Sequence, residues 1–163
     1  MTSLSRLWFA LPPAVGAPLG SMLEALARRP LAALLHASDD PSRRLAAQLA
    51  AQGAPKAVEV PAPKTSDLDR LAADHPDQEL AVLGDEPLLL QALALALGLP
   101  TLTLATVLPR PGSLSAFHWP TGQDPTSRPE LIGLDLDWFP PWHAGQPRPR
   151  FPGGPGVAGS ARR

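Results

Sequence analysis

Apolar residues fall in short blocks separated by polar, helix-periodic stretches. Arg6 to Leu11 is short and apolar and carries Trp8 and Phe9, as a buried strand does, and Pro12-Pro13 ends it. Leu19 to Arg28 places Leu19, Met22, Leu23 and Leu26 on one helical face, and Pro30 closes that helix. Leu31 to Leu35 is a second apolar run, ending at His36-Ala37-Ser38. Asp39 or Asp40 then caps a helix that carries Pro41 in its first turn, where a missing amide hydrogen does no harm, and Gly53 stops it. Ala57 to Val60 is a third strand, and Ser66 to Ala73 a short helix with Ser66 as cap and Asp69 as the acid of a capping box. Leu80 to Leu83 is a fourth strand, Pro87 opens a helix over Leu88 to Leu97, and Gly98 ends it. Gly112 to Trp119 and Leu131 to Leu136 read as two further strands joined by a polar loop, Pro120 to Pro129, and so as an antiparallel edge pair.

Strands that alternate with helices at this rhythm need β-α-β crossovers, which give a mostly parallel sheet covered on both faces. The expected fold class is therefore α/β: a three-layer α/β/α sandwich with an antiparallel edge. Ligands of such sheets bind outside the carboxyl ends of the strands. Three turns should then converge: Leu11 to Pro13, His36 to Asp40 and Gly84 to Glu86.

Composition narrows the chemistry. With 163 residues, 44% of them hydrophobic, the chain can bury one core. The expected division is a domain over residues 1–142 and a disordered tail over 143–163, where proline, glycine and arginine occur without apolar periodicity. Cysteine is absent, which excludes disulfides, thiolate metal sites and cysteine nucleophiles. No apolar run approaches the roughly 18 residues of a membrane span. Leu7 to Ala17 has the length of a signal-peptide core, but Pro12-Pro13 interrupts it, and the expected location is cytoplasmic. The net charge of −1 hides an asymmetry. Residues 143–163 hold four arginines (Arg148, Arg150, Arg162, Arg163) and no acid, and residues 1–142 hold ten basic and fifteen acidic side chains.

Four stretches, taken in order, resemble the histidine phosphatase (phosphoglycerate mutase-like) superfamily and its small SixA-like branch. Leu19 to Arg28 is similar to the segment before that family's second strand. Ala32 to Gln48 resembles its strand, Ser-rich turn and helix with a phosphate-gripping arginine, for which Arg43 is the best match and Arg44 the next. Leu80 to Pro100 resembles its strand, Gly-His-Glu-Pro turn and helix, and Pro111 to Trp119 with the strand through Leu136 resembles its terminal hairpin. The resemblance implies a histidine-phosphatase-like α/β domain with a phosphate pocket at Arg43, His36, Ser38, Asp85 and Glu86.

It also implies a degenerate member. Where the family has an Arg-His-Gly signature with the nucleophilic histidine, this chain has Leu11-Pro12-Pro13, which supply no nucleophile and no cation. Asp85 stands where the family has the second histidine. An acid about 4 Å from a phosphate oxygen repels it by roughly 4 kcal/mol at an effective dielectric near 20. The expectation is a non-catalytic domain, without catalytic residues or cofactor, that binds a protein partner or a small anionic ligand at the strand-end crevice. Two rival readings stay open: a residual phosphatase acting on phosphomonoesters or phosphohistidine through unconventional residues, and a structural subunit that oligomerises.

Other candidates have plainer explanations. His36 and Ser38 with Asp39 and Asp40 could offer a nucleophile and a carboxylate, but a turn, a cap and a strand end account for them. Asp85 and Glu86 could hold Mg²⁺ or Ca²⁺, but acids at a helix start also serve the helix dipole, and no metal site is expected. Trp138, Phe139 and Trp142, set around Pro140-Pro141, are the candidate interaction residues: they either fold back over the sheet edge or dock on a partner or a second copy. Four arginines spread over the last 21 residues, without interleaved aromatics, read as a solvated end rather than a nucleic-acid contact.

Overall fold

The computed structural model describes residues 3–14, 16, 19–104, 110–122 and 124–136. Six strands and five helices follow one another as β1 (Leu4–Ala10), α1 (Gly20–Ala27), β2 (Leu31–Ala37), α2 (Asp40–Ala51), β3 (Ala57–Val60), α3 (Thr65–Asp74), β4 (Glu79–Leu83), α4 (Glu86–Leu97), α5 (Thr101–Leu104), β5 (Leu114–Pro120) and β6 (Glu130–Leu136). The sheet order is β3-β2-β4-β1-β5-β6. The first four of these strands are mutually parallel, while β5 runs antiparallel to β1 and β6 antiparallel to β5. The α/β sandwich with an antiparallel edge is the expected architecture.

Alternation along each strand divides the core into two layers. Leu7 and Phe9 of β1, Leu80 and Val82 of β4, and Phe117 and Trp119 of β5 point to the face covered by α3 and α4. Trp8 and Ala10, Ala81 and Leu83, and Leu114 and Ala116 point to the face covered by α1 and α2. Successive side chains of a strand face opposite ways, so a strand with apolar residues at every position must be covered on both sides.

Helix ends follow the polar residues next to them, with one correction to the sequence reading. The α3 helix is not capped at Ser66; it starts at Thr65, after Lys64. The acid that closes its first turn is Asp67, whose Oδ2 accepts the Lys64 amide at 2.8 Å. Asp69 is used elsewhere: its Oδ1 accepts the indole N–H of Trp119 at 2.8 Å, and Trp119 is fully buried. A buried donor without an acceptor is costly, and this long-range need took Asp69 away from a capping role. Gly98 ends α4 in the left-handed conformation at φ +65°, as its position predicts. The short α5 was not predicted, since four residues are too few to show a helical period.

Candidate functional site

The carboxyl ends of β1, β2 and β4 converge as expected, and a cleft of ≈ 290 Å³ opens between them. Leu11, Pro12, Asp39, Pro41, Gly84, Asp85, Glu86 and Pro111 line it. Of the residues singled out in the sequence as binding positions, Asp85 and Glu86 line it. His36, Ser38 and Arg43 are not among its lining residues.

Those three gather instead around Glu59 on β3, a residue the sequence reading did not single out. Arg43 donates from Nε and Nη2 to Glu59 Oε1 at 2.9 and 2.6 Å. The two hydrogen bonds and the charge of Glu59 raise the guanidinium above its ordinary pKa. In return the Arg43 hydrogen bond, helped by one from the Ser38 hydroxyl, holds Glu59 below the ordinary carboxylate value. His36 pairs with Glu59 in the β2–β3 register, is buried at 8% exposure, and its Nδ1 lies 2.7 Å from the Ala37 carbonyl oxygen. A nitrogen that close to a carbonyl oxygen carries the proton and donates it. Ser38 gives its hydroxyl proton to the Glu59 carboxylate, which the Arg43 guanidinium also binds. The signal that could have found Glu59 is the parallel pairing of β2 with β3, which places it level with His36.

The cleft has a different chemistry. Asp39 caps α2: its Oδ1 accepts the Ser42 amide at 2.9 Å and its Oδ2 the Ser42 hydroxyl at 3.0 Å. Asp85 caps α4, with its Oδ1 accepting the Leu88 amide at 3.0 Å. The amino ends of both helices, which favour anions, thus already carry the chain's own carboxylates. Gly84 owes its identity to a close approach: a Cβ there would lie 2.8 Å from Cζ of the buried Phe9 ring. Its amide donates to the Ala10 carbonyl at 3.1 Å, which ties the β4 turn to the end of β1. The fourth wall, Pro111, comes from the segment before β5. Because β5 is antiparallel to β1, its start must sit at the cleft end of the sheet, a deduction that needs the pairing.

Among the described residues, no group of three or more His, Asp or Glu side chains is placed to hold a metal ion, and no helix is long and apolar enough to cross a membrane. Trp138, Phe139, Trp142 and the proposed tail lie outside the described residues.

No protein-family model matches the sequence, and no curated protein does. Solved structures do resemble it. A protein described as mycobacterial hydrolase 2 superposes with a TM-score of 0.57 at 13% identity, over 85% of this chain and 93% of the other. A putative phosphohistidine phosphatase SixA from Agrobacterium tumefaciens superposes with a TM-score of 0.50 at 16% identity, over 78% of this chain and 96% of the other. At such identities the likeness speaks for the fold alone: this chain has the α/β fold that these two structures share.

Proposed function

We propose that this chain is a non-catalytic histidine-phosphatase-like domain that binds a partner or ligand in the strand-end cleft. The lining of that cleft carries the reading: among the described residues it is three prolines, a leucine and a glycine with the carboxylates of Asp39, Asp85 and Glu86, without an arginine, lysine or histidine. Phosphoryl transfer needs a nucleophile and positive charge around the transferred group. Arg43, the matching arginine, spends its fork on Glu59. Arg110, next to Pro111, has interactions of its own. The same lining speaks against a small anionic ligand and for one that is apolar or basic, since like charges in one confined space repel.

The test is hydrolysis of para-nitrophenyl phosphate and of a phosphohistidine peptide by the purified chain between about pH 5 and 8, the range in which an ordinary histidine titrates. The expected result is no turnover above the blank. Turnover that disappears in His36→Ala or Arg43→Ala would overturn the reading.

A further inference from the structure

We infer that the cleft is occupied by a segment of this same chain, the arginine–proline stretch Gln146 to Pro152. The inference rests on the non-catalytic reading of the cleft and names its occupant. Three observations lead to it: where the chain leaves the sheet, how far it can reach, and what charge it carries.

Strand pairing fixes the exit. Ala10 at the end of β1 is level with Leu114, and Leu114 is level with Leu136 at the end of β6. The chain therefore leaves β6 at the same edge of the sheet where Leu11 and Pro12 enter the cleft. Two strand spacings separate those points, roughly 10 Å at about 4.8 Å each. Arg148 lies twelve residues beyond Leu136. Twelve extended residues span up to about 40 Å, so the stretch reaches the cleft with slack. Closing so short a loop on the domain it is tethered to costs far less than capturing a free peptide.

Charge and shape complete the match. Residues 143–163 carry four arginines and no acid, whereas residues 1–142 carry an excess of five acidic side chains. Three of those acids face the cleft. A carboxylate that caps a helix still has lone pairs to spare, and a guanidinium binds carboxylates through two parallel N–H bonds. Gln146-Pro147-Arg148-Pro149-Arg150-Phe151-Pro152 alternates arginine with proline. Such a sequence favours the extended polyproline conformation, which loses little entropy on docking, and its rings suit a wall of Leu11, Pro12, Pro41 and Pro111.

The natural absence of cysteine makes the test direct, because Phe151→Cys introduces a unique attachment point for a nitroxide on the full-length chain. The expected result is that the amide signals of Leu11, Asp39, Gly84, Asp85 and Glu86 lose more than half of their intensity. Those of His75 and Gln78, at the opposite end of the sheet, keep theirs. Adding Arg148→Glu and Arg150→Glu should restore the cleft signals. Asp85→Asn with Glu86→Gln should weaken the loss at least twofold, since asparagine caps a helix as well as aspartate does and only the charge is removed.

Uniform intensities, or a loss that survives the arginine reversal, would overturn the inference. A loss seen only when spin-labelled chain is mixed with unlabelled isotope-enriched chain would also overturn it, by making a second copy the occupant. The phosphatase assay on the same sample keeps the two conclusions apart. Turnover there defeats the non-catalytic reading, and a silent spin label without turnover defeats this inference alone.

Discussion

Asp39-Asp40-Pro41-Ser42 and Asp85-Glu86-Pro87-Leu88 start α2 and α4 on one plan: an aspartate cap, a second acid, a proline in the first turn, and a fourth residue whose amide the cap accepts. Both fourth residues are buried, Ser42 at 0% exposure and Leu88 at 1%. The difference lies in what fastens each turn. Ser42 returns a second hydrogen bond to Asp39, and Arg43 reaches from the next position to Glu59 on β3. The β2 turn is thus held by polar contacts along the sheet edge. Leu88 instead enters the core with Phe9, and Gly84 leaves room for the Phe9 ring. The β4 turn is held by packing. One wall of the cleft is therefore sensitive to charge and the other to volume, although their sequences look alike.

The largest effect should separate the two fourth residues. Leu88→Ala removes buried methyl groups from a filled core and should cost about 2–5 kcal/mol. Ser42→Ala gives up one hydroxyl hydrogen bond to an aspartate that solvent can reach, keeps the amide bond of the cap, and should cost about 0.5–1.5 kcal/mol. Urea denaturation of both variants decides it, and equal costs would dissolve the distinction.

A smaller loss is expected where the β4 turn has no room. Gly84→Ala places a methyl group against a ring that is itself fully enclosed, at a cost of about 1–3 kcal/mol for overpacking. Ser38, which stands in the same place before the cap of α2, is only partly buried, and Ser38→Ala should cost at most about 1 kcal/mol, the loss of one solvent-screened hydrogen bond to Glu59. If Gly84→Ala is as mild as Ser38→Ala, the Phe9 contact does not constrain the turn.

The smallest effect concerns pH. Glu59 is held below its unfolded value by Arg43 and then Ser38. A depressed carboxylate contributes stability that is present above the unfolded value, near pH 4.5, and is lost as pH falls through the lower folded value. The stability difference between the natural chain and Glu59→Gln should therefore shrink on acidification below about pH 4.5 and stay level from there to neutrality. Solvent screens this exposed pair, so added salt should narrow the difference as well. A difference that grows on acidification would reverse the assigned sign.

Much of this architecture could be read from local pattern. The alternation of apolar blocks with capped helices gave the parallel sheet, Asp39 was one of two named candidates for the α2 cap, and Gly98 was placed where α4 ends. These features depend on a few neighbouring residues, whose period, rigid rings and side-chain acceptors act over one or two turns of chain. The cleft itself was located from the strand ends, since that follows from topology.

What the sequence could not decide was which side chains meet. Arg43 was matched to a phosphate-gripping arginine by resemblance alone, but its partner Glu59 is sixteen residues away and becomes adjacent only through the β2–β3 register. Asp69 suited a capping box until Trp119, fifty residues on, needed an acceptor. Pro111 joined the cleft only because β5 lies antiparallel beside β1. Local hydrogen bonds and periodicity belong to the sequence because they are made within reach of each residue. The charge and shape of the cleft belong to the tertiary structure, because a buried donor, an arginine fork and a proline wall find partners only when strands distant in the chain are brought side by side.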